Sequence, residues 1–573
     1  MHGSDSRIEA RRAAERAPGD AIAWILLAEA ELDAGDARAG ETAARRALAL
    51  APGHPEVLAR LGRAQWMMHR HREAADSLRA AARAAPRHPG IAVWLGHALE
   101  DIGEAEEASE AYARAHALAP QQAQIAAYLL AWRRRLCDWR DLDALSAQVR
   151  DAVRSGEAAV EPFAFLSEDA TAAEQLQCAR LSAAQIAAGV RPLPPRTMAA
   201  GTATLRAGFL SNGFGAHPTG LLTVAFLEAL RGESGVDAHL FALNADDGGD
   251  IRRRLCAAAA LHDVSTLPHA LVAERIRAAG IDVLFDLRGW GGGGAPAVLA
   301  MRPAPVQVNW LAFPGTSGAP WIDYVLADRF VLPPALRPHF SERAALLPRC
   351  FQPSDTARAI APPPARADCG LADDAVVYCC FNNSYKTNPA SFARAMAVLR
   401  AVPDGVLWLL SGPGRADERL REAAHAAGVD TRRLVFMAKQ PHAAYLARLQ
   451  LADLFLDSTP YNAHTTASDA LWAGCPVLTR PGETFASRVA GSLNHHLGLD
   501  ELNAGDDDAY IAFATAVGND RPRLRDLRAR LQQLKRASGL FDMAGFARDF
   551  AAIARRMVER HRDGLMPAPL ELG

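Results

Sequence analysis

Along the first third of the chain, apolar and small residues recur at helical spacing, and the pattern returns at a fixed step. Prolines 18, 52, 86 and 120 are each 34 residues apart. Between them come Trp24, Leu27 and Ala28, then Leu58, Leu61 and Gly62, then Leu95, Gly96 and Leu99. Later in each unit fall Ala44 and Ala47, then Ala74, Leu78 and Ala81, then Ala108, Tyr112 and Ala115. Each unit therefore reads as two helices, with a small residue where they cross and a proline closing the second. Ala-rich helical sequence runs on to about Ala188, and Gly189–Arg196 (GVRPLPPR) with Thr197–Thr204 reads as a linker.

From Leu205 the texture changes to short apolar runs alternating with amphipathic helices. Leu205–Leu210, Ala238–Leu243 and Ile281–Leu287 are the first runs, with Leu221–Leu230 and Leu271–Ala279 among the helices. After Asp368 the alternation resumes with Ala375–Phe381, Val406–Leu410, Leu434–Met437, Leu451–Leu456 and Pro476–Leu478. Helices Asn388–Leu399 and Asp417–Ala427 fall between them. This predicts two doubly wound parallel sheets, joined near the Pro-rich Ala361–Arg366, with a ligand cleft at the C-terminal ends of the strands.

The 34-residue period resembles the tetratricopeptide repeat (TPR). Ser4–Pro18 reads as the second helix of a truncated earlier unit. A fourth unit starting near Gln121 departs from the pattern at Leu130 and Arg133 and reads as a junction. Such arrays stack into a superhelix whose concave face takes extended peptides; a dimerisation scaffold or a spacer is the alternative. Trp132–Trp139 (WRRRLCDW) is expected to pack as helix with arginines on its solvated face.

Composition narrows the partners. A net charge of −2 and a length of 573 residues fit several globular domains, with no nucleic-acid or membrane partner expected. Met1–Asp20 is charged and helical rather than a signal peptide, and no apolar run reaches the roughly 18 residues of a membrane span. The eight cysteines show neither CxxC nor metal spacing and read as reduced packing residues of a cytoplasmic protein. Lysine occurs only at 386, 439 and 535 in a strongly Arg-biased chain, a hint that a compact ammonium was wanted there.

Chemistry concentrates in the loops after the strands. His464, Thr465 and Thr466 precede a helical pattern, where backbone N–H groups lack intrahelical partners and the helix dipole is positive. The segment reads as an anion site, or else as simple N-capping by Thr466 or Ser468. The first strand leads into Ser211–Gly220, which carries His217. Asp286 is followed by the flexible Arg288–Gly294, and Val306–Trp310 by Phe313–Gly318. The strand ending at Phe381 leads to Asn382–Lys386 and brings Lys386 to the cleft edge shared with His464–Thr466.

HPTG, RPAPVQVNWLAFPGTSGA, FNNSYK, LADLFLD, HTTASDALWAGCPVLT and PGETFASRVA, following a repeat array in this order, closely resemble the O-linked N-acetylglucosamine transferase family from about Ser4 to Arg560. The resemblance implies an α plus α/β chain. A TPR superhelix (1–135) and a helical junction and linker (136–204) precede the two lobes of a GT-B glycosyltransferase (205–366 and 367–545), and a C-terminal helix and tail follow (546–573). It also implies inverting transfer of GlcNAc from UDP-GlcNAc to protein Ser/Thr, with protein acceptors reached through the array. No cofactor is expected, and no metal, because no strand ends in an Asp-X-Asp clamp and Asp506–Asp508 reads as a surface loop.

By the same resemblance, Lys386 with Thr465 and Thr466 stabilises departing UDP. His217 is the general base or positions the acceptor, a donor phosphate oxygen being the alternative base. Asp469 holds the ribose, or is only a favourable first-turn carboxylate, and Tyr445 stacks on the uracil. His442 and Asn383 stand where animal members have Lys and Gln, and Arg448 completes that side. Tyr461 edges the sugar pocket, Gly315 and Thr316 line it through their backbone, and Asp286 orients His217 or the acceptor. Other donors (GDP-fucose to Ser/Thr, UDP-glucose to Asn) and a peptide-binding scaffold with weak or no activity are the alternative readings.

Overall fold

The computed structural model describes residues 2–196 and 204–572. Two compact units emerge: one holds the chain to Val149 together with Gly412–Arg419, and the other holds Arg150–Ser411 and Leu420 onward. Of the expected linker, residues 197–203 lie outside the described residues. Its earlier part is pinned, with Leu193 N–H donating to Met301 O (2.8 Å) and the Arg196 guanidinium to Ile281 O (2.7 Å).

The first unit is an array of paired helices: Ala21–Asp33 with Ala37–Leu50, Pro55–Met67 with His71–Ala84, and Pro89–Asp101 with Ala105–Leu118. His2–Arg16 precedes them and Ala123–Arg135 follows. Asp20 and Asp36 cap two of the helices, and Pro55 and Pro89 each open one, where a missing N–H costs nothing. The small residues sit where the helices cross. A methyl group on Gly62 would fall 2.6 Å from Leu78 Cγ, and one on Gly96 2.5 Å from Tyr112 Cε1. Of the Trp132–Trp139 segment expected to be helical only Trp132–Arg135 is, the helix ending before Leu136, and the Trp132 indole donates to Glu100 (2.5 Å). Arg134, however, is buried rather than solvated.

In the second unit, β1 (Leu205–Ser211), β2 (Val236–Ala242), β3 (Ala260–Asp263), β4 (Val283–Asp286), β5 (Val306–Asn309), β6 (Tyr324–Asp328) and β7 (Arg343–Leu347) build the first lobe's sheet. The second lobe has β8 (Val376–Cys380), β9 (Gly405–Leu410), β10 (Leu434–Met437), β11 (Leu454–Leu456) and β12 (Val477–Leu478). A last strand, β13 (Leu570–Glu571), pairs with β7. The orders are β13-β7-β6-β5-β4-β1-β2-β3 and β10-β9-β8-β11-β12, parallel throughout. Strand order therefore reverses between β1 and β4 in one sheet and between β8 and β11 in the other. At such a point the flanking loops part and leave a crevice.

Strands β3, β6, β7 and β13 were not anticipated; each is five residues or fewer, and β3 is a half-exposed edge without a continuous apolar run. The expected C-terminal helix and tail is a helix from Met543 to Arg562 that belongs to the first lobe. Its Phe550 stacks 4.8 Å from Phe226, 4.6 Å from Phe285 and 5.2 Å from Trp310. Asp506–Asp508 is not a loop but a helix start: Asp506 caps Asp507–Gly518, and Asp507 pairs with Arg394 and Arg480. Five cysteines are buried as expected, whereas Cys256 is exposed. Among the described residues no helix is long and apolar enough to cross a membrane.

Because Phe550 is fully buried in that aromatic cluster, Phe550→Ala should cost about 3–5 kcal/mol. Urea unfolding should show it as a lower midpoint with the slope preserved.

Candidate functional site

Both switch points open on one cavity of about 270 Å³ in the second unit. The sequence reading placed His217, Asn383, Lys386, Tyr461, His464, Thr465 and Thr466 in the site, and all seven line it. Arg288, Gln352, Asn382, Tyr385, Phe163, Leu222, Leu311 and Ala312 line it too, and none of the lining residues is acidic.

On the second lobe, β8 ends into a single helical turn, Ser384–Lys386, which turns Lys386 inward. Its Nζ donates to Asn462 O (2.6 Å) and lies 3.7 Å from the centroid of the Tyr461 ring. Burial pushes its pKa down to about 7, against the pull of Asp457. Helix Thr465–Ala473 starts beside it with no side chain capping it, so the capping alternative for Thr466 and Ser468 fails. Thr466 instead donates its hydroxyl to Asn382 Oδ1 (2.8 Å), while Asn382 Nδ2 donates to Asp457 Oδ1 (3.1 Å) and Ser458 Oγ (2.9 Å). His464 is half-buried, donates from Nε2 to Ala486 O (3.0 Å) and is kept neutral by its surroundings.

On the first lobe, His217 opens helix Pro218–Leu230, and its Nδ1 accepts from Thr219 N–H (3.2 Å). The loop passes so close beneath the ring that a methyl on Gly213 would meet Nδ1 at 2.3 Å. His217 Nε2 lies 3.2 Å from Arg288 Nη1. Burial first, then the Arg288 and Lys439 cations, push the His217 pKa down to about 4. The ring is therefore neutral at physiological pH, and with Nδ1 accepting, its proton resides on Nε2.

Several expected residues lie outside the cavity. Asp286 does not touch His217; its buried carboxylate accepts from the Arg288 and Gly289 N–H groups (2.9 Å each) and fixes the turn that carries Arg288. Thr316 donates to Glu342 (2.6 Å), Gly315 packs near Phe313, and their loop is held by that buried glutamate rather than lining the pocket. Asp469 is gripped by buried Arg358 (2.5 Å) and by His442 (3.1 Å), which stacks against Tyr445 with ring centroids 6.1 Å apart. The Tyr445 hydroxyl is buried without a hydrogen-bond partner among the described residues. Arg448 turns to its own helix, donating to Ala444 O.

Sequence reasoning missed Arg288, Arg358, Phe163 and Gln352. Arg288 carried a signal, following an acid at a strand end. Phe163 carried none, since it lies in a helical stretch before the lobes.

An acid-free, cation-lined crevice between two Rossmann-like lobes defines a double-Rossmann protein built to take an anionic ligand. The chain belongs to glycosyl transferase family 41, whose model matches residues 192–363 and 361–550. It is 32% identical over 455 residues to the probable UDP-N-acetylglucosamine–peptide N-acetylglucosaminyltransferase SEC of Arabidopsis thaliana (75% of this chain, 46% of that protein). It is 27% identical to the corresponding Caenorhabditis elegans transferase (63% and 41%). The chain thus spans less than half the length of these relatives. In structure it is similar to a mutant of the Thermobaculum terrenum O-GlcNAc transferase, with a TM-score of 0.69 and 26% identity over 95% of this chain and 98% of that one.

Removing one partner of the buried Arg358–Asp469 pair strands the other charge. Arg358→Ala should therefore cost roughly 3–5 kcal/mol, and the double variant Arg358→Met/Asp469→Leu should recover most of it. Equal urea midpoints for the single and double variants would contradict this.

Proposed function

We propose that the chain transfers N-acetylglucosamine from UDP-N-acetylglucosamine to Ser/Thr hydroxyls of proteins, with inversion and without a metal. The observation that carries this reading is the pairing of an acid-free cationic crevice on the second lobe with a neutral histidine across it on the first. The donor diphosphate sits against Lys386 and the uncapped start of helix Thr465–Ala473. The acceptor hydroxyl attacks the anomeric carbon from the opposite side and its proton passes to a donor phosphate oxygen, because neutral His217, with Nδ1 accepting from Thr219, already carries its own proton on Nε2. The bond to the diphosphate breaks, and the charge that develops on its oxygen meets the ammonium and the helix N–H groups. A buried ammonium and oriented N–H groups supply the compensation that a metal would give elsewhere, and no lining carboxylate is present to hold one.

The plant and nematode relatives, named as UDP-N-acetylglucosamine–peptide transferases, and the solved bacterial O-GlcNAc transferase support this donor and this reaction class. His442 and Tyr445 on one helix, stacked beside Asp469, supply the nucleoside side of the site. We assign the helical array to capturing extended protein segments, an aromatic run at Trp66, Trp94 and His97 offering the contact surface.

Incubation with UDP-GlcNAc and lysate protein should label Ser/Thr to the same extent with and without EDTA. Lys386→Ala should lower kcat on the order of 10²–10³-fold while the protein remains folded. Turnover within threefold of wild type would remove Lys386 from the leaving-group role.

A pH dependence follows from Lys386. An anionic donor favours the charged ammonium, so binding takes up a proton wherever free Lys386 is neutral. UDP-GlcNAc affinity should be highest below pH 7 and fall as pH rises above it, by at most about tenfold per unit for one group. Lys386→Met should bind more weakly and without that fall, as read by calorimetry between pH 6 and 9.

A further inference from the structure

At the first switch point Arg288 makes no ion pair among the described residues. Its Nε is spent on Gly292 O (2.8 Å), which fixes the plane of the guanidinium, and its Nη1 faces His217 Nε2. The acid that acts on it, Asp286, turns its Oδ1 to the backbone of Arg288 and Gly289 instead. Burial presses the guanidinium towards the neutral form, and Tyr461, Asp286 and Tyr385 offset this only in part. A fork-shaped cation, half-buried and held in one plane, suits a planar carboxylate that accepts two hydrogen bonds.

Two anions enter the cleft in the proposed reaction: the donor diphosphate and any acid on the acceptor segment. The diphosphate has its own cradle on the second lobe. Arg288 is mounted on the first, beside the histidine that meets the acceptor hydroxyl. It also obstructs that histidine. Because His217 Nδ1 is committed to Thr219, Nε2 is the nitrogen left to face a hydroxyl, and Arg288 Nη1 stands 3.2 Å from it. An anion that draws the guanidinium aside would clear this nitrogen.

Resting on the transferase reading above, we propose that Arg288 reads a carboxylate of the acceptor, so that the hydroxyls receiving sugar lie beside an Asp or Glu. The test uses a peptide from a site that the wild type labels in lysate, made with Glu, Gln or Lys next to the acceptor residue. Wild type, Arg288→Ala and Arg288→Glu are each assayed on all three, and each is titrated calorimetrically with UDP. Wild type should favour Glu over Gln by about tenfold or more in kcat/KM, the scale of one charge-assisted contact. Arg288→Ala should bring the two within about twofold, Arg288→Glu should favour Lys, and UDP affinity should stay within about twofold in both. A Glu preference that survives in Arg288→Ala overturns the proposal. So does a loss of UDP affinity with the preference intact, which would assign Arg288 to the donor phosphates. If the wild type binds no UDP and labels nothing, the transferase reading itself falls, and this assignment with it.

Discussion

The second lobe's binding surface depends on the buried carboxylate of Asp457. It ends β11, where the parallel sheet changes direction and the strand ends would otherwise splay. Its Oδ1 accepts from Ser458 N–H (2.8 Å), Ala463 N–H (2.7 Å) and Asn382 Nδ2 (3.1 Å), and its Oδ2 from the Thr479 hydroxyl (2.7 Å). One side chain thus ties the segments that leave β8, β11 and β12. Burial alone drives its pKa upward, and the donors around it work in the opposite direction. Everything the crevice presents follows from this knot. Asn382 holds Thr466, the 457–463 turn sets the start of helix Thr465–Ala473, and Asn462 offers the carbonyl that anchors Lys386.

The positive character of the cavity is as much a matter of where acids go as of where bases are. Asp286 accepts from backbone donors, Asp457 from the backbone and from Asn382 and Thr479, Glu342 from Thr316 and Ser317, and Asp469 from Arg358 and His442. Each acid near the crevice organises a loop while leaving the void to Lys386, Arg288 and a helix terminus. The unbound protein bears the desolvation of those cations, visible in the depressed pKa of Lys386. An anion arriving at Lys386 and the helix start relieves that cost where the donors already stand in place, which is the sense in which that part of the site is preorganised.

How much of this the sequence disclosed divides along physical lines. The array was legible because a 34-residue period requires only that each repeat meet its neighbour. The lobes were legible through alternating strands and helices, and His217, Lys386 and Thr465–Thr466 through their place after strand ends. What stayed hidden depends on tertiary partners. Asp469 reads as an open ribose ligand until Arg358 closes on it from 111 residues away. Gly315 and Thr316 read as lining the pocket through their backbone, yet neither lines the cavity, and Glu342 holds their loop through the Thr316 hydroxyl and the Ser317 N–H. Local pattern predicts which backbone reaches the crevice, but long-range pairing decides which side chains remain free within it.

That lesson bears most on where the active unit begins. Phe163 comes from the short helix Pro162–Phe165, before the first strand of either lobe, yet its ring lies 6.1 Å from Tyr461 and 6.5 Å from Tyr385 inside the cavity. Leu166 packs with Tyr461, Phe313 and Ala486 just beneath. These apolar groups cover the Tyr461 ring on which Lys386 rests, and by excluding water they contribute to the burial that sets the ammonium's charge. A boundary drawn at Leu205 would sever a wall of the pocket from its floor. The junction is thus part of the electrostatic design of the site, and the Lys386 ammonium is tuned by a segment that local sequence reads as mere connection.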